Sequence, residues 1–147
     1  MNSKSIPTID FKQAYYSIKR NAHYSAMNLL GIPTRLILLC QMTLKETQSV
    51  VRISKKASDT FTTSKGFRQG DALSCDLFNI CLEIIMRKTE RATSSSIITK
   101  SVQILRYADD IDIISRNVAD LTTSFINIRD AASSIGLEVN VEKTKYI

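Results

Sequence analysis

The chain has 147 residues, which favours one domain, and 44% of them are hydrophobic, too many for a disordered polymer. No apolar run approaches the ~18 residues of a membrane span, and the N-terminus lacks a signal-peptide pattern. A net charge of +6 suits an anionic partner such as nucleic acid, or equally an ordinary basic domain.

Along the chain, Ile9 and Phe11 flank Asp10 in a short strand-like stretch, which sends the carboxylate to the other face. Residues 14–30 have helical character and stop at Gly31, with Pro33 close behind. Residues 34–46 read as a second helix with Thr34 as its N-cap. Residues 49–64 are rich in Val, Ile, Thr and Phe, and the polar run 55–59 interrupts them, as in a hairpin. Leu73, Leu77, Phe78, Cys81, Ile84 and Ile85 recur at helical spacing and predict a helix over 72–89. The polar run 93–96 reads as a loop. Residues 97–107 and 111–115 read as strands joined by a tight Ala108-Asp109-Asp110 connection. Val118, Leu121, Phe125, Ile128, Ala132 and Ile135 step by three and four, giving a last helix. Asn117 is its N-cap, Asp120 favours its positive end, and Gly136 closes it. Leu137, Val139 and Val141 alternate, so a strand is expected at the end. This order predicts an α+β fold, a mostly antiparallel sheet with helices on one face.

The cysteines Cys40, Cys75 and Cys81 are odd in number and lack metal-ligand spacing. Reduced thiols and an intracellular setting, nucleus or cytoplasm left open, are the expectation. With His23 as the single histidine, a histidine triad or zinc site is disfavoured. Chemistry must then come from carboxylates. Asp109 and Asp110 sit between two apolar strands, where adjacent acids repel unless a cation or proton intervenes. A hard divalent ion such as magnesium relieves that repulsion; an ordinary polar turn is the bland alternative. Asp10 becomes their partner only if its strand lies beside theirs. Three such acids could then hold two metals ~3.5–4 Å apart for phosphoryl or nucleotidyl transfer. Asp112 is left out, on the expectation that alternation sends it elsewhere. Residues 66–74, with Gly66 and Gly70 around a polar turn, offer backbone N–H groups to an anion. Read plainly, they are a connection in which Asp71 or Ser74 caps the next helix.

Together these segments resemble reverse transcriptases of non-LTR (LINE-type) retrotransposons, over nearly all of the chain. Asp10-Phe11-Lys12-Gln13-Ala14-Tyr15 looks like the first palm motif. Gly66-Phe67-Arg68-Gln69-Gly70-Asp71-Ala72-Leu73-Ser74, then Leu77-Phe78, looks like the Gly-x-x-Gln-Gly motif. Tyr107-Ala108-Asp109-Asp110 is similar to the Tyr-x-Asp-Asp box. Gly136-Leu137-Glu138-Val139-Asn140, followed by Lys143-Thr144, looks like the fourth palm motif.

The resemblance implies a polymerase palm performing RNA-directed DNA synthesis with magnesium, or manganese in its place. Asp10, Asp109 and Asp110 would be catalytic metal ligands, and Lys143 would approach the phosphates as a candidate general acid. Phe11, Tyr15, Gln69 and Gly70 would bind the nucleotide, Tyr15 excluding a 2′-hydroxyl by bulk. Arg68 and Tyr107 would contact primer or template. The implied partners are an RNA template, a DNA primer and deoxynucleoside triphosphates, with no membrane. The sequence departs from the family pattern at Tyr16, where Asp is frequent, and at Cys75, where Pro is frequent. Residues 1–147 are expected to be a partial reverse transcriptase domain without fingers and thumb, inactive in isolation. The alternative is a catalytically inactive retroelement remnant with at most weak nucleic-acid binding.

Overall fold

The computed structural model describes residues 7–68, 70–93, 102–115 and 117–146. The elements run β1 (Pro7–Ile9), α1 (Ala14–Ser17), α2 (Arg20–Leu29), α3 (Thr34–Leu44), β2 (Gln48–Ser49), β3 (Arg52–Ile53), β4 (Lys56–Ala57), β5 (Phe61–Thr62), α4 (Ala72–Thr93), β6 (Val102–Tyr107), β7 (Asp110–Ser115), α5 (Val118–Ile135) and β8 (Lys145–Tyr146). Four strands form one antiparallel sheet in the order β6-β7-β1-β8. The predicted α+β class is the observed one.

Strand alternation sorts this sheet into two faces. Ile9, Ile111 and Ile113 are fully buried and share one core with Leu77, Phe78, Leu82 and Ile85 of α4 and Leu121 and Ile128 of α5. The apolar stripes read from the sequence therefore meet each other and the inner face of the sheet. The outer face carries Thr8, Asp10, Asp110 and Asp112 at the intervening positions. Both ends of α5 follow their signals. The Asn117 side chain accepts a 2.9 Å hydrogen bond from the Ala119 N–H. Gly136 closes the helix at φ 101°, and a Cβ there would lie 2.7 Å from the Ser17 carbonyl oxygen.

Elsewhere tertiary pairing overrides local pattern. The helical stretch 14–30 breaks at Ile18 and Lys19. There the Lys19 N–H donates to the Ile135 oxygen at 2.8 Å, and Lys19 also bridges Lys65. Thr34 is the first residue of α3 instead of its N-cap; Pro33 takes the cap position without a side-chain bond. The closing strand lies later than predicted. Val139 makes one isolated bridge to Phe11, residues 141–143 turn, and β8 supplies the edge. Val141 is exposed because the chain has already left the sheet. The strand expected over 97–107 is seen over Val102–Tyr107; its first part and the loop positions 94–96 lie outside the described residues. Among the described residues, no helix is long and apolar enough to cross a membrane.

The hairpin expected over 49–64 is two short ladders, β2 with β5 and β3 with β4. Ser49 faces Phe61 in one and Arg52 faces Ala57 in the other, so the returning arm holds one extra residue. Between the ladders the Ser58 N–H donates to the Val51 oxygen at 2.9 Å. The surplus residue falls at 59–60 as a bulge, which bends a ribbon and increases its twist.

Candidate active site

Asp10 and Asp110 are brought together by register. Thr8 pairs with Asp112 and Ile9 with Ile111, so the next pair in the same antiparallel ladder is Asp10 beside Asp110. Asp109 occupies the two-residue connection between β6 and β7, where Tyr107 pairs with Asp110. Ala108, at φ 51°, takes the left-handed conformation that this tight turn needs. The three acids thus share one end of the sheet although 98 residues lie between Asp10 and Asp109. Asp10 is held from its other side too. The Asn140 N–H donates to the Asp10 backbone oxygen at 2.8 Å, and the Lys12 N–H donates to the Glu138 oxygen at 2.8 Å.

This end of the sheet is anionic. Partial desolvation raises the Asp110 pKa above its ordinary value, and repulsion from Asp109, Asp10 and Asp112 raises it further. Asp112 was expected to point away, yet it stands two positions from Asp110 and so on the same face. Its carboxylate accepts a 2.6 Å hydrogen bond from the Thr8 hydroxyl. That bond occupies Asp112 with the neighbouring strand. The Lys143 ammonium lies 3.9 Å from Asp10 Oδ2, with most of its side chain in solvent.

The donor set fits a hard divalent cation in type, being all carboxylate oxygen and mutually repulsive. Among the described residues, no three His, Cys, Asp or Glu side chains are gathered tightly enough to enclose a metal. What the fold provides is the shared strand end and the backbone hold on Asp10.

Tyr15 stands beside the acids. Its ring stacks on Phe78 with centroids 4.6 Å apart, and its hydroxyl lies 3.8 Å from Cys75 Sγ. Burial raises the Tyr15 pKa, the Cys75 contact adds to this, and the charge of Asp109 contributes as well. Phe11 turns into the core, 4% exposed, which removes its side chain from the surface. Arg68, Gly70 and Tyr107 are exposed, Tyr107 on the outer face opposite Asp110. Gln69 lies outside the described residues. Asp71 caps α4, its carboxylate accepting from the Leu73 N–H at 3.1 Å.

The Gly66 segment is fastened to the Tyr15 segment by backbone. The Gly66 N–H donates to the Ile18 oxygen and the Phe67 N–H to the Tyr15 oxygen, both at 2.8 Å. A Cβ on Gly66 would lie 2.6 Å from Tyr16 Cα, and φ is already 72°. Glycine is required there on both counts.

Sequence reasoning missed Arg20. Its guanidinium donates to the carbonyls of Leu44 at 2.7 Å, Thr63 at 2.9 Å, Gly66 at 3.0 Å and Lys65 at 3.2 Å. One side chain therefore ties the end of α3, the hairpin exit and the glycine turn together. No local signal marks it, since an arginine at a helix start ordinarily reads as a solvated charge. His23 is the other surprise. It is fully buried, its Nδ1 lies 3.2 Å from Cys81 Sγ, and its Nε2 has no partner.

The family model described as "Reverse transcriptase (RNA-dependent DNA polymerase)" matches residues 1–147, so the chain belongs to that family. The chain is 22% identical over 138 residues to the Pol polyprotein of the type-2 retrotransposable element R2DM from Drosophila melanogaster. That alignment covers 94% of this chain and 13% of the relative. A type-1 element R2 polyprotein from Nasonia vitripennis is also 22% identical over 138 residues, covering 94% of this chain and 14% of the relative. The chain thus spans about an eighth of the length of these relatives. Among solved structures, Candida tropicalis telomerase with a fragment of telomeric RNA superimposes with a TM-score of 0.79 at 19% identity. It covers 98% of this chain and 26% of that one. Candida albicans telomerase gives a TM-score of 0.76 at 14% identity, over 99% of this chain and 27% of the other. The fold is therefore that of a region of telomerase reverse transcriptase.

Proposed function

We propose that this member of the reverse transcriptase family is the palm of a longer RNA-directed DNA polymerase, with Asp10, Asp109 and Asp110 as its catalytic carboxylates. The observation that carries the reading is the register of Thr8 with Asp112 and Ile9 with Ile111, which, continued by one residue, sets Asp10 beside Asp110 at the turn that holds Asp109. Two magnesium or manganese ions, when bound by these acids, would activate the primer 3′-oxygen and stabilise the leaving pyrophosphate.

The chain's own residues do the rest. The Asn140 N–H bond to the Asp10 oxygen, with the pairing of the preceding Thr8 and Ile9 to β7, would hold Asp10 at the strand end beside Asp110. Tyr15, whose ring stacks on Phe78, would exclude a 2′-hydroxyl by its bulk. Lys143 is an exposed cation beside Asp10, suited to meet a triphosphate and to give a proton to pyrophosphate. Gln69 and Gly70 would complete the nucleotide pocket, with Arg68 and Tyr107 toward primer and template. The substrates would be an RNA template, a DNA primer and deoxynucleoside triphosphates.

Thermal melts of the chain with and without magnesium or manganese test the carboxylate site. A ligand that prefers the native state raises its stability. Metal should raise Tm in the wild type, and Asp109→Asn should abolish the rise. An equal rise in Asp109→Asn would assign the ions elsewhere and remove the support for the catalytic reading.

A further inference from the structure

Positive charge is unevenly spread along this chain. Residues 48–68 contain Arg52, Lys55, Lys56, Lys65 and Arg68 against the single acid Asp59, a net +4 of the chain's +6. Three of these cations, Arg52, Lys55 and Lys56, belong to the outer ladder of the hairpin or its turn. Every residue from 50 to 62 is exposed. The salt bridges among the described residues involve none of the five cations. Exposed apolar side chains stand between them: Val50, Val51, Ile53 and the ring of Phe61. A hairpin kept for stability alone would bury such residues. Unpaired cations interleaved with an open aromatic match the chemistry of a nucleic-acid strand, which offers phosphates and base faces together.

We infer that the hairpin of residues 48–62 is a nucleic-acid-binding arm, separate from the carboxylate end of the sheet, that holds a single strand by its phosphates. Arg52, Lys55 and Lys56 contact the phosphates, and Phe61 offers a surface for a base. The arm rests on the polymerase reading only for its biological occasion; strand binding itself needs neither metal nor Asp109. Its base leads to the Gly66 turn through Thr63 and Lys65, whose carbonyls Arg20 grips. A strand held on the arm is thereby anchored to a fixed part of the fold.

The test is fluorescence anisotropy of a labelled oligouridylate strand titrated with the chain at several salt concentrations, without divalent metal. Each phosphate contact contributes about 0.7 to the slope of log K against log salt for a single strand. The triple variant Arg52→Gln, Lys55→Gln, Lys56→Gln should lower the slope magnitude by about 2 and weaken binding on the order of 100-fold at ~0.1 M salt. Lys88→Gln with Arg129→Gln, on the helical layer, should leave the slope unchanged. Phe61→Ala should weaken binding with the slope retained. An unchanged slope in the triple variant overturns the inference, and so does a wild type that binds no strand. Polyglutamate bound as tightly and with the same slope would also overturn it, by showing a surface for any polyanion. The metal-dependent melt reports on the carboxylates independently, so each reading fails by its own measurement.

Discussion

The four-stranded sheet and the 48–62 hairpin are both antiparallel β-structure, yet the chain uses them in opposite ways. In the sheet, one face is closed by α4 and α5, and Ile9, Ile111 and Ile113 have no solvent contact. In the hairpin, Ile53 is 73% exposed and Phe61 is 46% exposed. Burial gives the sheet a single register, because a one-residue slip would turn its isoleucines outward and its aspartates inward. The hairpin lacks that penalty. Acids that must meet across long sequence distances need the first kind of ladder; cations that must meet a polymer can sit on the second.

Two isoleucines on strands, one in the sheet and one in the hairpin, should respond differently to truncation. Ile113→Ala in β7 should cost about 3 kcal/mol of unfolding free energy, from lost burial plus the cavity left behind. Urea denaturation measures it, and a loss below ~1 kcal/mol would mean that the sheet is not anchored as described.

An effect of similar size belongs to His23 of α2, whose ring meets Phe67 edge-on and Cys81 of α4. Burial depresses its pKa to about 4, so the neutral ring is the one the fold accepts. Because the folded pKa lies below the ordinary ~6.5, this stability is fully present above pH ~6.5 and drains away as pH falls toward 4. The shift is worth about 3 kcal/mol at its limit. Chemical denaturation across pH 7 to 4 should show the loss, and His23→Leu should flatten that part of the profile. An identical profile in the variant would place the acid sensitivity among the carboxylates. Cys81 beside it has its thiol pushed up to about 12 by burial, so it stays protonated throughout this range.

Ile53→Ala in β3 should change stability by no more than about 0.5 kcal/mol, as at an ordinary exposed position. The same urea experiment decides it. A loss comparable to that of Ile113→Ala would show that the hairpin is a buried structural element, against its exposure.

Much of this fold is written in short-range residue patterns. The periods of 3.6 and 2 in α4, α5 and β7 reveal the buried stripes, because side-chain direction follows from local backbone geometry. Asn117 and Gly136 mark helix ends, since capping is settled within a few residues. The Asp10, Gly66–Ser74 and Asp109–Asp110 motifs were visible as strings of residue types, and their family resemblance with them. What those strings touch depends on long-range packing. It set Asp10 against Asp110, broke the first helix at Ile18, and moved the final strand to β8. It also placed Asp112 on the outer face under Thr8, gave Arg20 its four carbonyls and brought Lys143 to Asp10. Each of these is a backbone or side-chain partner far away in sequence. Such partners are chosen by which faces must be buried together, and no local pattern of residues records that choice.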